Sequence, residues 1–194
     1  MSSDESSVAV ELQRHRFTLE QYERMIETGV LTDRDRVELL EGEIIEMPPI
    51  GDPHAGTCNR IAHVLITRLG DRAVVAVANP IALPIAVSMP QPDHAVLKPR
   101  ATFYADRRPQ PDDTFFVVEV MDSSTRDDRR IKAPLYARAG VPELWLADIP
   151  GSLVEVLREP RDGVYRSVRT VRRGESVAPL AFPDVVFSFA DLLG

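Results

Sequence analysis

The segment that most constrains the fold is the apolar run at residues 115–121, Phe-Phe-Val-Val-Glu-Val-Met. Its length and its β-branched and aromatic residues predict a strand in the core of a sheet. Glu119 lies in the middle of this run, and a buried carboxylate is costly unless another group compensates its charge. A charged helix, predicted from about residue 127 to residue 139, follows a short polar turn and carries Lys132. Glu119 is therefore expected to have a partner that compensates its charge.

Length and composition indicate an ordinary soluble protein. The chain has 194 residues, 44% of them hydrophobic and 27% charged, which is enough for one domain with a proper core. We expect residues 1–15 to be disordered and residues 16–194 to form a single domain. No apolar run approaches the about 20 residues of a membrane span, and the N-terminus lacks a signal pattern. One cysteine, Cys58, excludes an internal disulfide and a multi-thiolate zinc site, so we expect a reduced, cytoplasmic protein without a membrane partner.

The charge is unevenly distributed. Residues 1–50 hold 12 acidic and 5 basic side chains, which accounts for the net charge of −7, and residues 51–194 hold 18 of each. The chain as a whole therefore lacks the basic surface typical of nucleic-acid-binding proteins. Arginines cluster at 126–138 and 158–173, and alone they are more simply interpreted as solvated faces. Lys98 and Lys132 are the only two lysines, and lysine is the cation whose pKa a protein can tune.

Hydrophobic periodicity and turn residues predict the order of the elements. Thr18 should cap a helix ending near Gly29, and Asp52 should cap a second helix with proline at its first position. Hairpins are predicted at 36–47 and 153–171, and strands at 73–78, 81–87, 93–97, 115–121 and 144–148, of which the strand at 81–87 is broken by Pro84. In the helix predicted from residue 127, Pro134 should cause a kink or a late start. This order predicts an α/β or α+β domain with a mixed central sheet.

The second helix has one apolar face. Residues 54, 58, 61, 65 and 69 recur at the helical period, which turns His54 towards the core, whereas His63 lies on the opposite side. For His54, both a structural role and a role in a site remain open.

Two acids lie on predicted core strands, Asp93 at the start of one and Glu119 within another. Each has a simple explanation, because Asp93 could cap a turn and Glu119 could form a buried salt bridge with an arginine. Together, two carboxylates can bind Mg²⁺ or Mn²⁺, and the backbone carbonyl of Val120 could add a ligand. Lys132 would then orient the attacking water or stabilise the charge on a phosphate.

The helix that carries Lys132 leaves an alternative open. Asp128, Lys132 and Tyr136 are four residues apart and therefore share one face. That face could be an exposed Asp–Lys pair, which contributes about a few tenths of a kcal/mol. Alternatively, it faces Glu119 and belongs to a site.

Several motifs occur together in the second half of the chain. They are Gln91-Pro92-Asp93, Val117-Val118-Glu119-Val120 followed by Ser123-Ser124-Thr125, and the stretch from Asp128 through Lys132 and Tyr136 to Gly140-Val141-Pro142-Glu143-Leu144-Trp145-Leu146-Ala147-Asp148. Upstream, the motifs are Phe17 to Tyr22, Glu38 to Met47, and Pro53-His54. Over about residues 16–192 this pattern resembles the Uma-type family of restriction-endonuclease-like proteins, which is similar to the PD-(D/E)xK nuclease superfamily.

The resemblance implies a restriction-endonuclease-like mixed sheet flanked by helices, with additional N-terminal and C-terminal β-hairpins. It also implies that Asp93 and Glu119 are metal ligands. The parent motif has a lysine two residues after the second acid, where this chain has Met121, and the resemblance assigns that role to Lys132. Glu43 and His54 match family positions near the site and are further candidate catalytic residues.

The first functional hypothesis is a Mg²⁺- or Mn²⁺-dependent endonuclease that hydrolyses DNA phosphodiester bonds, with local arginines holding the backbone. The second is a non-catalytic nucleic-acid-binding or protein-binding module that keeps the fold and needs neither metal nor Lys132. A third is a different phosphate-ester hydrolase that uses the same site. Apolar residues in the tail and the second hairpin are compatible with a homodimer.

Overall fold

The computed structural model describes residues 14–122 and 126–194, with the side chains of residues 126–128 left out. The helices and strands in chain order are α1 Leu19–Glu27, β1 Val37–Leu40, β2 Glu43–Glu46, α2 Asp52–Leu69, β3 Val74–Val77, β4 His94–Leu97, β5 Thr114–Met121, α3 Arg126–Ala139, β6 Glu143–Asp148, β7 Leu153–Arg161, β8 Val164–Val171, β9 Ser176–Val177, β10 Phe187–Ser188 and α4 Phe189–Leu192. Three sequence predictions lie outside the described residues: disorder in residues 1–13, the motif 123–125, and the side chain of Asp128.

Six strands form the central sheet in the order β3-β4-β5-β6-β7-β8. Neighbouring strands are antiparallel except β5 and β6, which run parallel and pair Val117 with Leu144 through to Met121 with Asp148. A parallel pair requires a crossover connection, and α3 provides it. The predicted class, a mixed sheet flanked by helices, is therefore confirmed.

Alternation along β5 divides the core into two halves. Residues 116, 118 and 120 pack in the same cluster as Ile61 of α2, whereas Val117 and Met121 pack with residues of α3. Successive side chains of a strand point to opposite faces, so Glu119 shares the face of Val117 and Met121. Its carboxylate is consequently turned towards α3.

Both predicted hairpins are present. The β1–β2 hairpin turns at Glu41-Gly42. An isolated β-bridge joins its Leu39 to Met89, which lies in the segment between β3 and β4. The hydroxyl of Tyr22 on α1 donates to the carbonyl of Val37 at 3.1 Å, which fixes α1 against the hairpin. The β7–β8 hairpin extends the edge of the central sheet.

Helix α2 has the predicted orientation. Ile61, Leu65 and Leu69 are buried, and His63 on the opposite side is exposed. No helix in residues 14–122 and 126–194 is long and apolar enough to cross a membrane.

Two local predictions fail at proline residues or beside them, and one of the two alternatives predicted for Pro134 is excluded. Gly51, not Asp52, is the N-cap of α2, and no side chain caps that end. The strand predicted at 81–87 is replaced by a 3₁₀ turn over Pro84–Ala86, because Pro84 has a fixed φ and no N–H for a strand ladder. Helix α3 begins at Arg126 and continues through Pro134, which excludes the late start.

A buried acid at the start of β6 joins the sheet to the C-terminal segment. Oε1 of Glu143 accepts hydrogen bonds from Trp145 Nε1 at 2.7 Å and from the Arg158 guanidinium at 2.7 and 3.0 Å. Its Oε2 accepts from the backbone N–H of Leu180 at 2.7 Å, and Arg158 also donates to the carbonyl of Ala178 at 2.6 Å. Both carboxylate oxygens are thus used to hold residues 178–180 against the sheet.

Replacing Glu143 with alanine should destabilise the protein strongly. The change leaves a partly buried guanidinium and two N–H donors without their acceptor, so we expect the free energy of unfolding to fall by about 3 kcal/mol in urea titrations. The matched control is Asp162→Ala, whose pair with Arg166 is exposed and should contribute at most about 1 kcal/mol. Equal losses in the two variants would contradict the anchoring role of Glu143.

Candidate active site

A pocket of about 670 Å³ opens where the β1–β2 hairpin meets the beginnings of α2 and β4 and the end of β5. Residues of α1 and the segment 47–50 complete its wall. Among its charged lining residues Glu38, Glu119 and Lys132 are buried, and His54 and Asp93 are partly buried. Five of the six residues predicted for the site, Val120 among them, therefore line one pocket.

Glu119 is 5% exposed and is held from three sides. The hydroxyl of Tyr136 donates to its Oε1 at 2.7 Å, and Lys132 Nζ lies 3.6 Å from the same oxygen. The backbone N–H of Asp93 donates to its Oε2 at 3.4 Å. Burial raises the pKa of Glu119 to about 7, and the charge of Lys132 opposes this shift.

Lys132 lies between two carboxylates. Its Nζ is 3.6 Å from Oε1 of Glu119 and 3.6 Å from Oε1 of Glu38, and the residue is only 8% exposed. Tyr136 follows one turn later on α3, so both side chains meet Glu119 from the same helix face. This burial rules out an exposed helix-surface pair for Lys132 and supports the interpretation in which it faces the acid.

Asp93 directly precedes β4 and contacts both the sheet and α2. Its Oδ2 accepts from the backbone N–H of Val120 at 2.8 Å and lies 3.3 Å from His54 Nε2. Burial by itself would raise the pKa of Asp93. The hydrogen bond and charge of His54 are the largest opposing effects, and the pKa of Asp93 is held below its usual range. The hydrogen bond to Asp93 in turn raises the pKa of His54, against the effect of burial. His54 and Asp93 therefore form a close pair in which each stabilises the charged form of the other.

Sequence reasoning missed Glu38. This residue is 5% exposed on β1, and its Oε2 accepts from the backbone N–H of Gln91 at 3.1 Å. The signal was the same one that identified Glu119, a carboxylate between the apolar residues Val37 and Leu39 of a strand. Its significance was hidden because several nearby acids on the hairpin are solvated, and because its partner Lys132 lies far away in sequence.

Glu43 is not part of this pocket. It lies at the turn end of the hairpin opposite Leu40, two strand positions or roughly 7 Å from Glu38 along β1. Its carboxylate lies 3.4 Å from Arg16 and 4.0 Å from Arg14. The structure therefore separates Glu43 from the other candidate residues.

The donor set fits a hard divalent cation. The partly buried Asp93 and the buried Glu119 both line the pocket, as does Val120, and the backbone N–H of Asp93 contacts Glu119. Such oxygen donors are the ligands preferred by Mg²⁺ and Mn²⁺.

The comparisons with known proteins agree with this geometry. The model of the Uma2 family, described as "Putative restriction endonuclease", matches residues 19–190. The chain belongs to the Uma2 family. A solved structure from Anabaena variabilis ATCC 29413, titled "a putative nuclease belonging to DUF820", aligns with a TM-score of 0.73 and 16% identity, covering 91% of this chain and 97% of that one. None of the curated proteins compared with the chain is a significant match.

Membership of the Uma2 family confirms the resemblance drawn from the sequence motifs and supports a nuclease-like function. The low identity of the structural relative means that it shows the shared fold alone. The matched residues 19–190 contain every residue of the pocket discussed above.

The two lysines provide a test of the charge balance in this Uma2 protein. Lys132→Met removes the cation between two buried carboxylates, so in metal-free buffer we expect the free energy of unfolding to fall by about 3 kcal/mol. Lys98→Met changes an exposed lysine and should alter it by less than about 0.5 kcal/mol. Urea titration of both variants measures the difference, and a Lys132 variant as stable as wild type would refute the role of Lys132 as counter-ion.

Proposed function

We propose that this Uma2 protein is a divalent-metal-dependent endonuclease that hydrolyses phosphodiester bonds in DNA. The observation that carries the proposal is the convergence of Asp93 and Glu119 beside Lys132 in one pocket. Family membership supports the nuclease class, and the oxygen donors favour Mg²⁺ or Mn²⁺ as the cofactor.

In this proposal, Asp93 and Glu119 hold the cation and the carbonyl of Val120 is a further candidate ligand. A bound divalent cation supplies Lewis-acid stabilisation of the charge that develops on the phosphate. It also offsets the cost of placing two carboxylates side by side in a buried region. The contact between Asp93 N–H and Glu119 keeps the two acids in register with each other.

The remaining residues position these groups. The ammonium of Lys132 donates hydrogen bonds to the attacking water or to a phosphate oxygen, while Glu38 holds it from the side away from Glu119. Tyr136 occupies Oε1 of Glu119 and so limits the orientations of that carboxylate. His54 does the same for Asp93 through Nε2.

The substrate backbone needs positive contacts beyond the reacting phosphate. Arg36 and Arg108 line the same pocket, and a guanidinium binds phosphate oxygens in a forked geometry. Because the chain has a net charge of −7, we expect a small number of phosphate contacts rather than a broad basic face.

A homodimer is a further part of the proposal. Val164 and Val168 are 44% and 53% exposed on β8, the edge strand of the central sheet. Exposed apolar residues on an edge strand favour pairing with a second copy.

Plasmid nicking in Mg²⁺ or Mn²⁺ tests the proposed activity. Wild type should convert supercoiled plasmid to nicked and linear forms, and Lys132→Ala should lower the rate by about 100-fold or more, because it removes a donor to the reacting groups. Lys98→Ala is the matched control and should cut at the wild-type rate. Undiminished cutting by a folded Lys132→Ala variant would exclude the assigned role.

Calorimetric titration tests the metal site without cleavage. Wild type should bind Mn²⁺, and Asp93→Asn should bind it at least about tenfold more weakly, because the amide oxygen carries no charge. If wild type binds Mn²⁺ no better than Asp93→Asn, the metal-dependent mechanism fails. The exposed Asp162→Asn variant provides the control for non-specific binding.

A further inference from the structure

A second set of donor atoms surrounds Asp93 on the side of α2. His54, Cys58 and Asp93 each offer one possible ligand atom, and these three atoms lie within 4.8 Å of one another. Cys58 Sγ is 3.5 Å from His54 Nδ1, and His54 Nε2 is 3.3 Å from Asp93 Oδ2. This set combines sulfur, nitrogen and oxygen, whereas the proposed nuclease site offers oxygen alone.

The fold positions the thiol as well as the imidazole. His54 and Cys58 are four residues apart on α2, a spacing that brings both side chains to one helix face. The backbone of Cys58 is fixed by His94, a fully buried residue whose Nε2 donates to the carbonyl of Cys58 at 2.9 Å. The thiol therefore faces Asp93 from a backbone that is anchored to β4.

The chemical type of the three ligand atoms determines which metal ions His54, Cys58 and Asp93 could bind. A thiolate with an imidazole and a carboxylate suits Zn²⁺ and Co²⁺ and is unsuitable for Mg²⁺. Ligands of one tetrahedral Zn²⁺ lie about 3.3–3.8 Å apart, so closing the three atoms onto an ion requires side-chain shifts of about 1 Å. Three protein ligands leave the fourth position for water.

We propose that His54, Cys58 and Asp93 form a binding site for a borderline transition-metal ion such as Zn²⁺. On binding, the S–H bond of Cys58 breaks, a sulfur–metal bond forms and one proton passes to solvent. Burial raises the pKa of the Cys58 thiol, and the charge of Asp93 adds to the shift.

Asp93 belongs to both donor sets, which gives the site a consequence for activity. An ion held by His54, Cys58 and Asp93 withdraws Asp93 from the site shared with Glu119. Zn²⁺ should therefore inhibit Mg²⁺-dependent cleavage, and this consequence rests on the proposed nuclease function. Binding of the transition metal itself does not rest on it.

Co²⁺ is the probe, because it accepts the same ligands as Zn²⁺ and bonding to a thiolate produces a near-ultraviolet charge-transfer band. Wild type should develop this band at one equivalent of Co²⁺ and lose it when Zn²⁺ is added. Cys58→Ser should abolish the band. His54→Ala should weaken Co²⁺ binding by more than about 10-fold, because loss of a residue that only hydrogen-bonds a metal ligand already costs that much. The control is His63→Ala, on the exposed opposite face of α2, which should bind like wild type.

Circular dichroism of each variant confirms that it is folded before titration. Absence of the band in wild type, or an unchanged Co²⁺ affinity in folded His54→Ala, overturns the proposed site. Excess Mn²⁺ should weaken Co²⁺ binding by competing for Asp93, and independent binding of the two ions overturns the shared ligand. A protein that shows the band but never cuts DNA would refute the nuclease proposal and leave the transition-metal site standing.

Discussion

The carboxylate of Glu119 on a buried strand is the constraint on which the surrounding arrangement depends. The parallel pairing of β5 with β6 forces the chain through the α3 crossover, and this crossover brings Lys132 and Tyr136 over the acid. Lys132 is itself buried, and its ammonium lies close to two carboxylates. One belongs to Glu119 and the other to Glu38 of the hairpin. The sheet, the crossover helix and the N-terminal hairpin are thus linked through one chain of charges.

Stability alone does not account for this concentration of charge. Replacing buried ion pairs with apolar residues of similar volume is often neutral or stabilising, so three acids, a lysine and a histidine in one pocket are a poor way to strengthen a core. The environments also differ: the pKa of Glu119 is raised by burial, whereas that of Asp93 is held low mainly by His54. The proposed cation site would explain why acids persist where an apolar core would exclude them.

Local patterns in the sequence predicted much of this arrangement. The apolar run around Glu119, the helical period of α2 and the shared face of Lys132 and Tyr136 depend on neighbours within a few residues, and all three agree with the structure. The strand predicted at 81–87 failed because backbone chemistry at Pro84 overrode hydrophobicity. Glu38 could not be separated from Glu43 by local pattern, since both alternate with apolar residues and only the distant α3 distinguishes them.

His54 shows why the two donor sets around Asp93 exclude each other. When Nε2 carries a proton it donates to Asp93 Oδ2, which lies 3.3 Å away, and favours the charged form of that carboxylate. When Nε2 binds a metal it must present its lone pair, and the hydrogen bond to Asp93 is lost. A proton on His54 therefore favours the oxygen site, and a transition metal on His54 removes the group that orients it. If Nε2 is the ligand atom, the 3.3 Å contact cannot serve both states, so under the two proposals the proton on His54 would select the ion that Asp93 holds.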